Sequence, residues 1–280
     1  MARFASYDGT QIGYRELGDG PPLVCLPGGP GRTADYFGDL GGLSRSRRLV
    51  MPDTRGTGES EDASDTGSYR ADRLVGDVEA LRAHLGLDRM DLLGHSAAGE
   101  LATLYAAAYP ERVARLILLT PGLSAVGIEE TDERWRAALE RRSEEPWYPV
   151  ALAAIAKAEA GDDSVENRRE YMPFYYGLWD EAAQAHVDVG VSERSRAVRE
   201  RFRAQGAFNP AATREALARL DAPVLVYAGD LDANPTPESA AAAADLFPGG
   251  LVMVQPGAAH FPWVDAPEFF AAAISAFLWA

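Results

Sequence analysis

The chain has a single cysteine in 280 residues, which excludes an internal disulfide. Cys25 lies in the apolar run 23–26, where a packed core thiol is expected. No apolar run approaches the length of a transmembrane helix, and Arg3, Tyr7 and Asp8 interrupt the stretch where a signal peptide would need apolar residues. From these absences we expect a cytoplasmic protein that has no membrane partner.

Positive charge is also scarce. The 27 Lys and Arg residues face 42 Asp and Glu residues, which gives a net charge of −15 at pH 7. Because nucleic acids and anionic membranes repel an acidic surface, neither is expected as a partner, and neutral or cationic ligands are favoured. The sequence leaves the oligomeric state open.

Short apolar runs alternate with helical periods along most of the chain. An Asp8-Gly9 turn inside 3–18 predicts a β-hairpin. Buried strands are predicted over 23–26 and 90–93, and further strands over 48–52, 113–119, 224–228 and 251–254. Helices are predicted over 35–43, 69–85, 236–247 and 267–279, with one more directly after residue 96. This alternation predicts an α/β fold with a mostly parallel central sheet flanked by helices.

Strand signals vanish between about residues 123 and 206, where the sequence becomes helical and polar. Eighty residues are too long for a loop in a domain of this size. We therefore expect one α/β core over 1–122 and 207–280, into which a helical cap over 123–206 is inserted.

The stretch 90–110 is typical of a nucleophile elbow. A short apolar strand runs into Gly94-His95-Ser96-Ala97-Ala98, and a helix rich in alanine follows. A serine at such a turn has a strained backbone, so the residues two before and two after it must be small, as Gly94 and Ala98 are. The alternative is an ordinary helix that has a serine N-cap.

A serine nucleophile needs a base and an acid that orients the base. Of the four histidines, His260 stands just after the last predicted strand, where a catalytic base is expected. The acid should lie between serine and histidine in chain order, and Asp230 and Asp232 follow the strand 224–228.

Two other motif interpretations are excluded. The glycine-containing stretch 53–60 lacks the Gly-Lys-Ser/Thr of a phosphate-binding loop. The stretch from Asp230 to Asn234 is similar to the start of a calcium loop, but Pro235 and Ala241 stand where that loop needs glycine and glutamate. We therefore expect no bound metal.

These motifs resemble those of the α/β-hydrolase superfamily, and most of all those of its proline iminopeptidase branch. That branch carries His-Gly-Gly-Pro-Gly, Asp-Gln-Arg-Gly-x-Gly-x-Ser and Gly-x-Ser-x-Gly in order, and this chain has 27–31, 53–60 and 94–98 in the same places. The C-terminal half resembles the branch at Gly-x-x-Asp (229–232) and in the loop of His260. The chain departs from the branch at Pro27, where the branch has histidine, and at Ala97, where its peptidases usually have tryptophan.

The resemblance implies a serine hydrolase that needs no cofactor. Ser96 would attack an acyl carbonyl, His260 would take and return the proton, and Asp232 would orient His260. The N–H groups of Ala97 and of the loop at Gly28 and Gly29, above all Gly29, would form the oxyanion hole.

We expect the cap to supply the substrate-binding residues Trp147, Tyr175, Trp179 and Glu145, while most cap aromatics pack against the core. The leading hypothesis is hydrolysis of a small-molecule ester, lactone, thioester or amide. The second is an aminopeptidase that releases N-terminal proline, in which Glu145 or Glu181 would pair with the substrate ammonium group. The third is a non-catalytic binding protein with this fold.

Overall fold

An eight-stranded sheet forms the centre of the protein in the computed structural model, which describes residues 1–190 and 195–279. Its strands are β1 (Ala2–Ala5), β2 (Gln11–Leu17), β3 (Pro22–Leu26), β4 (Arg48–Pro52), β5 (Met90–His95), β6 (Val113–Leu119), β7 (Val224–Gly229) and β8 (Gly250–Gln255). The order across the sheet is β1-β2-β4-β3-β5-β6-β7-β8. The β1–β2 and β2–β4 pairs are antiparallel and the remaining pairs are parallel. The predicted fold class is confirmed, including the hairpin at one edge.

The strand order also determines where a site can form. The chain passes from β3 outward to β4 and then returns to the other side of β3 to form β5. The loops that follow β3 and β5 therefore diverge at the carboxyl edge of the sheet, which is the position where open α/β sheets bind ligands.

Helices surround the sheet and fill the interval between β6 and β7. Those of the described residues are α1 (Ala71–His84), α2 (Ala97–Ala108), α3 (Asp132–Glu140), α4 (Tyr148–Glu159), α5 (Val165–Tyr171), α6 (Glu181–Gly190), α7 (Arg196–Phe202), α8 (Pro210–Leu217), α9 (Pro237–Ala244), α10 (Pro262–Asp265) and α11 (Pro267–Trp279). Between β6 and β7 the described residues form helices and turns but no strand. The cap boundaries at 123 and 206 stay a prediction, as does the division into core and cap.

The core has two layers, because successive residues of a strand point to opposite faces. In β3, Val24 and Leu26 pack with α1, α2, α8 and α9, whereas Leu23 and Cys25 pack on the opposite face with α11. Cys25 is fully buried there, as its apolar neighbours predict.

The helix predicted over 35–43 is wrong. The chain there forms two short 3₁₀ turns, Ala34–Phe37 and Leu43–Arg45, separated by residues in the left-handed region. Gly38, Leu40, Gly41 and Gly42 have φ angles of 53°, 51°, 66° and 91°. A run of positive φ values cannot continue a right-handed helix, and the three glycines are the sequence signal for that break.

No helix in the described part of the chain is long and apolar enough to cross a membrane.

Candidate active site

Ser96 stands at the turn between β5 and α2 with a strained backbone, at φ 54° and ψ −125°. Three backbone hydrogen bonds hold it there. Its N–H donates to the carbonyl of Leu119 (3.0 Å), and its carbonyl accepts from the N–H groups of Gly99 (2.8 Å) and Gly122 (2.7 Å). Residues remain in such sparsely populated conformations when the surroundings over-determine them, and they cluster at active sites.

The small residues around Ser96 are required by close packing. A Cβ on Gly94 would lie 2.3 Å from the carbonyl oxygen of Ala98 and 2.7 Å from the Cβ of Ala102. A Cβ on Gly28, in the loop after β3, would lie 2.7 Å from the Cβ of Ser96. The elbow therefore fits only with glycine at both positions.

Ser96, His260 and Asp232 form a continuous hydrogen-bonded chain. The Oγ of Ser96 lies 2.9 Å from Nε2 of His260, and Nδ1 of His260 lies 2.8 Å from Oδ2 of Asp232. A carboxylate can only accept hydrogen bonds, so Nδ1 of His260 carries the proton. Nε2 is then free to accept a hydrogen bond from the hydroxyl of Ser96. The other oxygen of Asp232 accepts the N–H of Asn234 at 3.0 Å, which fixes the carboxylate plane. Both Asp232 and His260 are buried.

The N–H groups predicted to form the oxyanion hole differ in whether they already donate a hydrogen bond within the protein. Among the described residues, the N–H groups of Ala97 and Gly29 have no hydrogen-bond acceptor. The N–H of Gly28 instead donates to the hydroxyl of Tyr36 at 2.7 Å. The prediction of Gly28 as an oxyanion donor is therefore wrong, because its N–H already donates a hydrogen bond inside the core.

A cavity of about 640 Å³ opens over Ser96 and His260. Aromatic side chains form part of its wall: Trp135, Tyr171, Phe174 and Tyr175. Of the predicted cap residues, Tyr175 lies in this wall, with its ring 5.4 Å from that of His260.

Carboxylates form another part of the wall: Glu100, Glu129, Glu130, Asp132, Glu159 and Asp232. Glu130 accepts the N–H (2.7 Å) and the hydroxyl (2.8 Å) of Thr236 through Oε1. Its Oε2 is buried and has no hydrogen-bond partner in the described part of the chain. Glu100 is fully buried, and burial raises its pKa, although Arg203 lies 2.9 Å away and opposes that effect. The cavity is thus acidic, with Arg203 the one cation among the described lining residues.

The structure corrects three of the predicted substrate-binding residues. Trp147 packs edge-to-face on Phe174, and Trp179 packs on Tyr176, so both pack against other aromatic side chains of the predicted cap. Glu145 lies 3.5 Å from Arg142 with its side chain 41% exposed. None of the three is among the described residues that line the cavity.

Glu100 and Glu130 line the cavity but do not belong to any of the sequence motifs that predict the site. Glu100 follows Ser96 by four residues on α2, so helical spacing could have placed it on the face of the elbow. Glu130 follows β6 by a loop whose path depends on its bond to Thr236, 106 residues away, and no local signal indicates it.

No group of three or more His, Cys, Asp and Glu side chains in the described residues is arranged to hold a metal ion.

Comparison with known proteins gives the family. Residues 21–267 match the family model described as alpha/beta hydrolase fold. A proline iminopeptidase of Heyndrickxia coagulans is 28% identical across 98% of this chain and 97% of its own length. A proline iminopeptidase of Lactobacillus helveticus (strain DPC 4571) is 36% identical, but over 54% of this chain and 51% of its own length.

Solved structures agree on the fold. An esterase from Rhodococcus sp. ECU1013, RhEst1, superimposes with a TM-score of 0.76 at 26% identity, covering 100% of this chain and 98% of the esterase. The chain is therefore an enzyme of the α/β-hydrolase fold family, with similarity to proline iminopeptidases.

Proposed function

We propose that the protein is a serine hydrolase that cleaves a small-molecule ester, lactone, thioester or amide through an acyl-enzyme. The observation that carries the proposal is the unbroken chain from Ser96 Oγ through His260 to Asp232, at 2.9 Å and 2.8 Å, opening into a cavity of about 640 Å³. The helices of the predicted cap, 123–206, supply part of that cavity's wall.

In the first half-reaction, Ser96 Oγ attacks the acyl carbonyl carbon while its proton passes to His260 Nε2. The carbonyl oxygen becomes an oxyanion, which accepts hydrogen bonds from the N–H groups of Ala97 and Gly29. Each such donor contributes about 3 kcal/mol to lowering the barrier in comparable sites. The leaving group then takes the proton from His260 as its bond to the acyl carbon breaks.

In the second half-reaction, a water molecule is the nucleophile in place of Ser96. It loses a proton to His260 Nε2, attacks the acyl-enzyme and releases the acid, and the proton returns to Ser96 Oγ. Asp232 stays ionised throughout and stabilises the imidazolium form of His260.

The test is a panel of p-nitrophenyl esters of increasing acyl length, assayed beside prolyl and alanyl arylamides. We expect turnover of at least one substrate, and we expect Ser96→Ala to reduce it by more than about 10³-fold while the circular dichroism spectrum is unchanged. Turnover by Ser96→Ala within severalfold of the parent enzyme would contradict the assignment. A fluorophosphonate probe that leaves Ser96 unlabelled would instead support the third hypothesis, a non-catalytic binding protein.

A second candidate is a proline iminopeptidase, and the acidic cavity favours it. A free N-terminal ammonium group needs a carboxylate partner once it leaves water, because an unpaired buried charge is costly. The Oε2 of Glu130, which has no hydrogen-bond partner among the described residues, offers such an acceptor on the wall that also includes Ser96. The proline iminopeptidase of Heyndrickxia coagulans, matched over nearly its full length, supports the same candidate.

The test of this candidate is Glu130→Gln, assayed on prolyl p-nitroanilide and on an uncharged aryl ester. Glutamine keeps an acceptor for Thr236 and removes the charge. We expect kcat/KM on the prolyl substrate to fall about tenfold or more, as for loss of a charged hydrogen bond, and the ester activity to stay within about twofold.

Glu145→Gln is the matched control, since Glu145 is a cap carboxylate outside the cavity wall, and it should leave both activities unchanged. Absence of any prolyl arylamide cleavage by the parent enzyme would remove this candidate and leave the acyl hydrolase.

A further inference from the structure

A buried hydrogen-bonded chain connects the loop after β3 to the backbone of His260. Its first member is the N–H of Gly28, which donates to the hydroxyl of Tyr36 (2.7 Å). The Tyr36 hydroxyl lies 2.8 Å from Nδ1 of His95, and Nε2 of His95 lies 3.0 Å from the carbonyl oxygen of His260. Tyr36 and His95 are each only 2% exposed, so these bonds are largely shielded from bulk water.

The direction of each bond follows from donor chemistry. The carbonyl of His260 cannot donate, so Nε2 of His95 carries the proton. In neutral imidazole Nδ1 is then an acceptor, and the hydroxyl of Tyr36 donates a hydrogen bond to it. Burial lowers the pKa of His95 well below its ordinary range, which keeps this neutral tautomer at working pH. All three donors therefore point from the loop toward the carbonyl of His260.

Both ends of the chain lie next to reacting groups. Gly28 immediately precedes Gly29, whose N–H is a proposed oxyanion donor. At the other end, the carbonyl belongs to His260 itself. The same carbonyl accepts the hydroxyl of Thr120 at 3.1 Å, and the N–H of His260 donates to the carbonyl of Tyr175 at 3.0 Å. The backbone of the base is thus held on both sides, but only the His95 bond also reaches the oxyanion loop.

We propose that His95 and Tyr36 are positioning residues that set the oxyanion loop and the catalytic base relative to each other. This inference rests on the proposed serine hydrolase activity. In the proposed mechanism neither side chain exchanges a proton or forms a bond with the substrate, and each acts through the group that it holds. Displacement of a reacting group by about 1 Å can cost on the order of 100-fold in rate, so a two-ended brace of this kind acts on kcat.

The test is Tyr36→Phe, which keeps the ring and removes the central hydroxyl. We expect kcat on an aryl ester to fall by about tenfold or more, with KM within about threefold. A second readout is the affinity for an aryl boronic acid, in which boron bonds to Ser96 Oγ, the hydroxyl proton passes to His260 and a boronate oxygen occupies the oxyanion site. Boronate affinity should fall in parallel with kcat, whereas inhibition by the carboxylic acid product should not change.

Thr120→Val is the matched control. It removes the other donor to the same carbonyl without breaking the link to Gly28, so its loss of boronate affinity should be clearly smaller. An equal loss in both variants, a change in KM alone, or a kcat for Tyr36→Phe within threefold of the parent enzyme would overturn the inference.

A second pair of variants covers the case in which Tyr36→Phe does not fold. His95→Gln keeps one donor and one acceptor, whereas His95→Leu has a similar volume and keeps neither. Activity retained by the first and lost by the second supports the brace, and equal activity in the two overturns it. Absence of any Ser96-dependent turnover in the parent enzyme would instead mean that the proposed function itself has failed.

Discussion

Two aspartates follow β7, and they differ in what their side chains touch. Asp232 bonds to Nδ1 of His260 at 2.8 Å. Asp230 has no such bond, and its Oδ1 is buried without a partner among the described residues. The environment of each side chain, more than its position in the chain, therefore distinguishes the acid of the proposed triad from a loop residue.

We predict that Asp232→Asn lowers kcat far more than Asp230→Asn. An amide at position 232 would present N–H to Nδ1 or favour the wrong tautomer of His260, so the loss should be on the order of 10³–10⁴-fold. The loss for Asp230→Asn should be less than about tenfold, since no contact with His260 is removed. Single-turnover kinetics on an activated aryl ester measures both. A reversed order of the two penalties would make Asp230 the acid of the triad.

At the scale of elements, Asp265 connects the segment of Gly177, within the predicted cap, to the loop of His260. It ends α10, and its two oxygens accept the N–H groups of Ala259 and Gly177, each at 2.8 Å. Arg142 completes this junction from the cap by donating to the carbonyl of Gly177 at 3.1 Å. A Cβ on Gly177 would lie 1.8 Å from the carbonyl oxygen of Gly257, so the backbones of these two segments are in close contact here.

Burial raises the pKa of Asp265 from 3.8 to about 6, against the opposing effect of its backbone donors and of Arg142. A carboxyl whose pKa is higher in the folded than in the unfolded state stabilises the fold below the unfolded pKa. That contribution is lost as the pH rises through the folded pKa. We therefore predict that the contribution of Asp265 to the free energy of unfolding falls by about 2 kcal/mol between pH 4 and pH 7.

Asp265→Asn isolates this contribution, because asparagine does not titrate. Urea denaturation at pH 4, 5, 6 and 7 gives the free energy of unfolding of both proteins. As the pH rises, the parent protein should lose stability relative to Asp265→Asn. A difference that stays constant over this range would show that Asp265 has an ordinary pKa in the fold.

At the scale of the whole molecule, the net charge of −15 and the carboxylates of the cavity wall act in the same direction. A negative cleft attracts cations over a distance set by the ionic strength, about 10 Å at 0.1 M salt. The protein should therefore capture cationic substrates faster than neutral ones of the same shape.

We predict that kcat/KM for an amino-acid aryl ester that has a free ammonium group falls severalfold between about 20 mM and 500 mM NaCl. The N-acetylated ester, which lacks the charge, is the matched control and should change little. Equal salt responses of the two esters would exclude electrostatic attraction as a factor in substrate choice.

Much of the fold and part of the site could be predicted because their signals are local. The apolar runs that became β3 to β8 are short stretches of consecutive residues whose pattern favours a strand. The turn at Ser96 needs small residues within a few positions of the serine. Gly94 meets this need, because a Cβ there would clash with the carbonyl oxygen of Ala98. The predicted helix over 35–43 does not form, because Gly38, Gly41 and Gly42 adopt positive φ angles that interrupt a right-handed helix.

The order of elements, the elbow and the candidates for base and acid can be predicted from the sequence, since each depends on neighbours along the chain. Contacts in the folded chain establish that Asp232 faces His260 and that the N–H of Gly28 donates to Tyr36. They also place Glu130, but not Glu145, in the cavity wall. These outcomes depend on contacts between residues far apart in the chain, such as the bond from Thr236 to Glu130. Where a loop side chain or N–H points is decided by such contacts, and composition and spacing carry no record of them.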